Sequence, residues 1–269
     1  LVMDSLKDKT IVVTGSNGLI GVALLHALKE NMSNIIAIDI AYNDADTLST
    51  FIDEFNYKNI LYFDTNIADE KELEISINKG FEKFGSIDGL VNCAAIDSVP
   101  DTMKFEPIED LSIEKLKNSI EVNLSSQIVC TKIVGDIMKK NSIKGSIVNI
   151  GSIYGMVSPK QNIYSHIEKE GEIYKKPISY GVSKSGLMYS AKYFSTYWEK
   201  SEIRINNIVL GGVFNNQDKK FVENYSKNVP LGRMANKGEC IPPILFLLGD
   251  GSSYITGSDL YVDGGWTAW

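Results

Sequence analysis

Short apolar runs alternate with stretches of helical spacing almost from the first residue. The runs at 10–14, 34–39, 60–63, 87–93, 145–150, 203–210 and 255–262 are too continuously apolar to alternate between core and solvent. That is the pattern of strands in a parallel sheet covered on both faces. Between them, Leu73, Ile77, Phe81 and Phe84 recur at i, i+4, i+8 and i+11, with Asp69 placed to cap the start and Gly85 to end the helix. A second helical series runs through Leu187, Ala191, Phe194 and Trp198. Repeated strand–helix–strand units imply right-handed crossovers and a doubly wound α/β domain with a seven-stranded, mostly parallel sheet. With no Pro- or Ser-rich linker and no internal repeat, residues 1–269 read as one domain. Residues 153–178 break the rhythm: Tyr154, Tyr164, His166 and Tyr174 follow neither a period of 2 nor one of 3.6. A loop of that length inside a compact domain is usually functional or mobile.

Composition narrows the partners. The balance of 27 Lys and Arg against 34 Asp and Glu leaves a net charge of −7, and no dense basic stripe is present to grip nucleic acid. No apolar run approaches the roughly 20 residues that span a bilayer, and residues 1–9 lack the apolar core of a signal peptide. Cys93, Cys130 and Cys240 are odd in number and lack CxxC spacing, which suits a reducing compartment better than a disulfide framework. The expectation is a cytoplasmic protein with no metal, no membrane and no nucleic acid among its partners.

Two constellations carry chemistry. Gly15, Ser16, Asn17, Gly18, Leu19, Ile20 and Gly21 lie directly after the first apolar run and open a helical pattern. Glycines there permit a tight turn and close approach of a pyrophosphate to the helix N-terminus, which makes this a Rossmann-like dinucleotide site. Asp39 ends the second strand, where an acid accepts hydrogen bonds from the adenosine ribose and repels a 2′-phosphate. With no Arg or Lys at 16–17 or 40–43, NAD is favoured over NADP. The second constellation is Tyr180 and Lys184, placed at i and i+4 on one helical face. An adjacent ammonium favours phenolate and draws the phenol toward working pH as a general acid/base. Among 13 tyrosines only Tyr180 has a Lys four residues on. Ser152, at the end of the fifth strand, offers a hydroxyl to the same substrate oxygen.

Taken in order, the Gly-rich turn, Asp64, the tetrad Asn92, Cys93, Ala94 and Ala95, then Asn123, the Ser152/Tyr180/Lys184 set, and the ending at 254–265 resemble the short-chain dehydrogenase/reductase superfamily over essentially the whole chain. The resemblance implies that Asp64 and Thr65 meet the adenine and that Asn92 and Ala94 line the cofactor cleft. It further implies that Val213 meets the carboxamide, that Asn123 kinks its helix and holds a relay water, and that Lys184 holds the nicotinamide ribose. Several positions depart from the family pattern. Gly18 stands one place before the usual middle glycine, Cys93 and Ala95 replace Asn and Gly, Leu210 replaces Pro, and Asn215 replaces Thr. Ser152 and Tyr180 are 28 residues apart, where the family norm is roughly a dozen.

The enlarged segment lies beside the expected substrate site. Few apolar residues anchor it, so it reads as a mobile flap. Tyr164, His166 and Tyr174 would stack on a sugar, and Lys160, Lys175 and Lys176 would meet a phosphate. The chain is similar to reductases of bacterial surface-sugar and flagellin modification. The expected protein is an NAD-dependent oxidoreductase interconverting a secondary alcohol and a ketone on a sugar phosphate or nucleotide sugar, assembled as a homodimer or homotetramer. The alternatives are an epimerase or dehydratase that retains its NAD, and a non-catalytic dinucleotide-binding protein.

Overall fold

The apolar runs fold as strands β1 (Thr10–Thr14), β2 (Asn34–Asp39), β3 (Ile60–Asp64), β4 (Gly89–Asn92) and β5 (Ser146–Ser152). A two-residue antiparallel pair follows, β6 (Glu168–Lys169) and β7 (Glu172–Ile173), then β8 (Arg204–Leu210) and β9 (Asp259–Val262). In this computed structural model, residues 6–97, 108–169 and 171–269 are described. Residues 1–5, on which the reading of the N-terminus partly rests, and residue 170 of the inserted segment lie outside them.

Seven strands form one sheet in the order β3-β2-β1-β4-β5-β8-β9, every neighbouring pair parallel. The chain order reverses between β1 and β4, and in such sheets the crevice outside the carboxyl ends at that reversal takes the ligand. The last run is shorter than its apolar pattern predicts. Gly257 turns at φ +69°, so pairing begins only at Asp259.

Helices cover both faces. Helices α1 (Leu19–Glu30), α2 (Ala45–Phe55) and α8 (Ile241–Leu248) bury Leu24, Phe55 and Ile244 against Ile11, Val13 and Ile35. On the opposite face, α3 (Glu70–Phe84), α5 (Ser126–Lys140) and α6 (Ile178–Tyr197) pack Ile77, Val134 and Ala191 on Val12, Ile36 and Ile147. Successive strand residues therefore enter opposite cores. The α3 caps are those its sequence predicts: Asp69 accepts from the amides of Lys71 and Glu72, and Gly85 closes the helix at φ +79°. Helix α4 (Ile113–Ile120) runs into α5 through a π-helical turn at Glu121–Ser125. Among the described residues, no helix is long and apolar enough to cross a membrane.

A polar row, buried at its three asparagines, fixes the register from β4 to the edge strand β9. Asn92, Asn149, Asn207 and Asp259 are direct partners across β4, β5, β8 and β9. Asn92 donates to Asn149 at 2.9 Å, Asn149 to Asn207 at 3.1 Å, and Asn207 to Asp259 at 2.6 Å. The row is tied to the helices above it: Asn92 donates to Thr131 Oγ1 at 2.8 Å and Asn207 to the Met188 carbonyl at 2.9 Å.

The inserted segment corrects an expectation. Ile153, Ile163, Tyr164 and Tyr174 are buried with Met188, Val209, Tyr225 and Trp266 in a third core beyond the strand ends. Their irregular spacing suits short 3-10 turns at Ile153–Gly155 and Gln161–Tyr164, so no helix or strand period reveals them. The segment is anchored by apolar side chains, and Tyr174 at 2% exposure is core. Helix α7 (Lys219–Ser226) packs on it through Phe221, whose ring centroid is 5.5 Å from that of Tyr164.

Replacing Asn149 by Leu breaks two links of the row: the buried Asn207 amide oxygen loses its donor, and the Asn92 amide keeps only its bond to Thr131. Each orphaned group costs about 1–3 kcal/mol. Urea unfolding of Asn149→Leu is expected to show a loss of that order, and an unchanged midpoint would show that the row carries no stability.

Candidate active site

The carboxyl ends of the strands border a cleft of about 810 Å³. Its floor at one end is the turn after β1. Gly15 sits at φ +65°, and a Cβ there would lie 2.5 Å from the Ala94 Cα, backbone that cannot yield. A Cβ on Gly21 would lie 2.3 Å from the Gly15 carbonyl oxygen. Glycine at both positions lets the turn, α1 and the segment after β4 close on one another. Gly18 N-caps α1 without any side-chain cap, and Gly15, Gly18, Leu19 and Ile20 line the cleft. Helix N-terminal amides facing an open cleft form an anion site.

Asp39 lines the cleft beside this turn. Its carboxylate accepts from the amide of Asn17 at 2.9 Å and of Ala41 at 3.0 Å, so the acid is fixed by the turn it serves. Asn17 and Gly21 do not themselves line the cleft: Asn17 orients Asp39, and Gly21 packs behind Gly15. Asp64 is exposed at the end of β3, and the lining there comes from Thr65, Asn66 and Ile67 instead. Ala94 and Val213 line the cleft, whereas the Asn92 side chain points into the buried row beneath it.

Asn123 lies in the π-helical turn, with its side chain wholly buried. Its amide clamps Ile96, accepting from the Ile96 N–H at 2.8 Å and donating to its carbonyl at 2.9 Å, and also reaches Ser183 Oγ at 3.3 Å. π-turns locally bend helices and recur at functional sites. The residue thus shapes the wall after β4, and its side chain is already committed there. Gln127, which no motif singles out, secures the same wall by donating to the Ala94 carbonyl.

Tyr180, Ser152 and Lys184 meet in the wall of this cleft. Lys184 is 2% exposed and donates to the Ile150 carbonyl at 2.8 Å, with its Nζ 5.9 Å from the Tyr180 ring centroid. Burial lowers the Lys184 ammonium to about 8. The Tyr180 phenol is pushed well above its ordinary value, first by burial and then by the Asp97 carboxylate, against a hydrogen bond from Ser152 that lowers it. The i, i+4 spacing predicts the opposite direction. A desolvated site disfavours phenolate more than a neighbouring ammonium restores it.

The remaining candidates of the inserted segment are dispersed. Lys160 donates to Asn228 at 3.0 Å and lies 5.4 Å from the Trp266 ring centroid. His166 faces Asp218 at 3.2 Å, and Lys175 is exposed. Among the described residues of the segment, Ile153, Tyr154, Tyr164, Ile167 and Lys176 reach the cleft wall. Asp97, which pairs with Lys176 across the mouth, is flagged by no sequence motif.

Comparison with known proteins agrees with this geometry. A family model described as enoyl-(acyl carrier protein) reductase matches residues 16–267. The post-translational flagellin modification protein A of Campylobacter coli is 30% identical over 97% of this chain and 99% of its own length. A 2,5-dichloro-2,5-cyclohexadiene-1,4-diol dehydrogenase of Sphingobium indicum is 28% identical over 99% of this chain and all of its own. Among solved structures, a short-chain dehydrogenase from Leptospira borgpetersenii with bound NAD+ superposes with a TM-score of 0.83 at 28% identity, covering 98% of this chain and 95% of that one. The chain belongs to the short-chain dehydrogenase/reductase family, oxidoreductases that bind a nicotinamide dinucleotide and act on small molecules.

Lowering of Lys184 has a consequence for stability. Between about 8 and its ordinary 10.5 the unfolded chain holds a proton that the folded chain does not. The cost of burying the ammonium is therefore present below pH 8 and relieved as pH rises through that window. Wild type is expected to gain stability relative to Lys184→Met between pH 8 and 10.5, read by urea unfolding at each pH; a constant difference would refute the burial argument.

Proposed function

We propose that the protein is an NAD-dependent oxidoreductase that interconverts a secondary alcohol and a ketone. The observation that carries this reading is the meeting of Tyr180, Ser152 and Lys184 in one cleft whose far end is lined by Asp39 and the α1 N-terminus. The residues present fit a nicotinamide dinucleotide. Gly15, Gly18, Leu19 and Ile20 would hold the pyrophosphate, Asp39 the adenosine ribose, Thr65 the adenine, Lys184 the nicotinamide ribose, and Val213 the carboxamide. When bound, the nicotinamide supplies or accepts the hydride at the substrate carbon.

This chain's own groups handle the proton and the oxygen. Ser152 Oγ, held at the end of β5, donates a hydrogen bond to the substrate oxygen and fixes it beside Tyr180 Oη. Burial keeps Tyr180 protonated, so in the direction of ketone reduction its O–H is ready to transfer as the oxygen gains charge. Lys184 sits beside it with its Nζ fixed on Ile150 and lowers the cost of the phenolate left behind. The π-turn at Asn123 and the Gln127 contact hold the opposite wall so that substrate cannot shift.

The substrate class proposed is a sugar phosphate or nucleotide sugar of bacterial surface-glycan or flagellin modification. The flagellin-modification relative supports this reading, and so do Asn215, Asn216, Gln217 and Asp218, which line the substrate end with groups suited to hydroxyls. The location proposed is cytoplasmic. A homodimer or homotetramer is supported by the outward stripe of α6, where Ile178, Val182, Tyr189, Tyr193 and Tyr197 share one exposed face.

NAD is expected to bind more tightly than NADP, because Asp39 would face the 2′-phosphate. Calorimetric titration of both cofactors tests this, and Asp39→Ala is expected to weaken NAD and narrow the gap; equal or tighter NADP binding would sink the claim. Tyr180→Phe keeps the packing but removes the transferable proton. Turnover is expected to fall by about 10²–10⁴-fold with NAD binding retained. Measured as NADH absorbance on a panel of sugar phosphates and nucleotide sugars, the same assay separates net oxidation from an epimerase, which would release no stoichiometric NADH.

A further inference from the structure

A second ammonium lies against the catalytic ring, and neither proton transfer nor cofactor binding uses it. Lys176 stands four residues before Tyr180, just ahead of α6, with its Nζ 4.8 Å from the Tyr180 ring centroid. Its backbone is gripped at both polar ends by one side chain of the inserted segment. Gln161 Oε1 accepts from the Lys176 N–H at 2.9 Å, and Gln161 Nε2 donates to its carbonyl at 3.5 Å. The position is built, although no period of the sequence marks it.

The asymmetry of its ion pair indicates what the cation is for. Lys176 and Asp97 form a salt bridge across the mouth of the cleft, with the lysine side chain 7% exposed and the aspartate 48%. An ammonium that deep in the protein is costly unless an anion compensates it. The cation is the fixed, desolvated partner. The carboxylate is the half-solvated one. Both line the cleft at the Tyr180 end, away from the glycine turn that forms the other anion site.

We propose that Lys176 is the anion anchor of the substrate, and that Asp97 occupies its place until a carboxylate or phosphate of the substrate displaces it. The proposal rests on the oxidoreductase reading of the same cleft and sharpens it. Because the ammonium lies over the face of the ring that carries the reacting phenol, the charged group of the substrate sits within a few bonds of the carbon that exchanges hydride. A sugar phosphate with its phosphate near the reacting carbon, or a sugar acid with its carboxylate there, meets this condition. A neutral alcohol does not use the anchor.

Two substitutions of opposite expected sign test it. The protein is first saturated with NAD, which fills the pyrophosphate site; failure of NAD to bind at this step would count against the cofactor reading and is read before any anion is added. Inorganic phosphate and malonate are then titrated separately at constant ionic strength by calorimetry, and the tighter of the two identifies the charged group the substrate carries. Lys176→Gln is expected to weaken binding about tenfold or more, as the loss of a charge-assisted hydrogen bond implies, and Lys176→Arg to recover most of it. Asp97→Asn is expected to tighten binding, since the resident competitor is gone. If the pair were a fixed clasp holding the mouth in shape, Asp97→Asn would weaken binding together with Lys176→Gln. That result, an unchanged Lys176→Gln, or no saturable anion binding by wild type would each overturn the proposal.

Discussion

The buried row Asn92–Asn149–Asn207–Asp259 is the constraint on which the site depends. Side-chain amides in an apolar interior must find partners, and here each finds one only when β4, β5, β8 and β9 pair in a single register. A slip by one residue would turn every side chain of a strand to the opposite face and leave the row unsatisfied. Immediately beyond the row on β5 come Ile150, whose carbonyl holds Lys184 Nζ, and Ser152, which faces Tyr180. The row is bound to α5 by Thr131 and to α6 by the Met188 carbonyl. It therefore fixes the strand that bears the serine relative to the helix that bears the tyrosine and lysine.

At the other end of the cleft the constraint is steric. Gly15 must lie against the Ala94 backbone, and Gly21 against the Gly15 carbonyl, for α1 to point its amides at the opening. With these contacts in place, Gly18 precedes the usual middle position while α1 stays packed against the turn. The glycine that faces the opening and the glycine that packs behind it are separate residues, so the spacing of the first is free to vary while the second keeps helix and turn in contact. Asp39 is oriented by the Asn17 and Ala41 amides, which makes the acid proposed for the ribose part of the same unit.

Between these ends lies a desolvated patch with more than one ammonium. Burial lowers Lys184 and raises Tyr180, both in the direction that reduces charge in a poorly solvated site. Asp97 acts on Tyr180 and pairs with Lys176, which links the charge at the cleft mouth to the proton held at its centre. An anion that took the place of Asp97 would keep the net charge beside Tyr180 nearly the same while binding the substrate.

The sequence by itself determined the elements with strong local signals. The apolar runs marked all seven strands of the sheet, although β9 starts later than its run because Gly257 turns the chain first. Asp69 and Gly85 bounded α3, and the i, i+4 spacing put Tyr180 and Lys184 on one face of α6. These are short-range patterns, set by the period of one element and the chemistry of one turn. The tertiary structure alone decided what depends on several segments meeting. It showed that the irregular residues 153–178 bury Ile153, Ile163, Tyr164 and Tyr174 as core, because side chains in short 3-10 turns and after a two-residue strand follow no countable period. It placed Asn92 beneath the cleft and committed the Asn123 side chain to Ile96, since those directions follow from strand pairing and from what packs around the helix kink, not from a local pattern. It reversed the expected direction at Tyr180, because desolvation is a property of the surroundings and not of the neighbour four residues away. Asp97 and Lys176 are 79 residues apart, and only the fold brings that carboxylate to that ammonium.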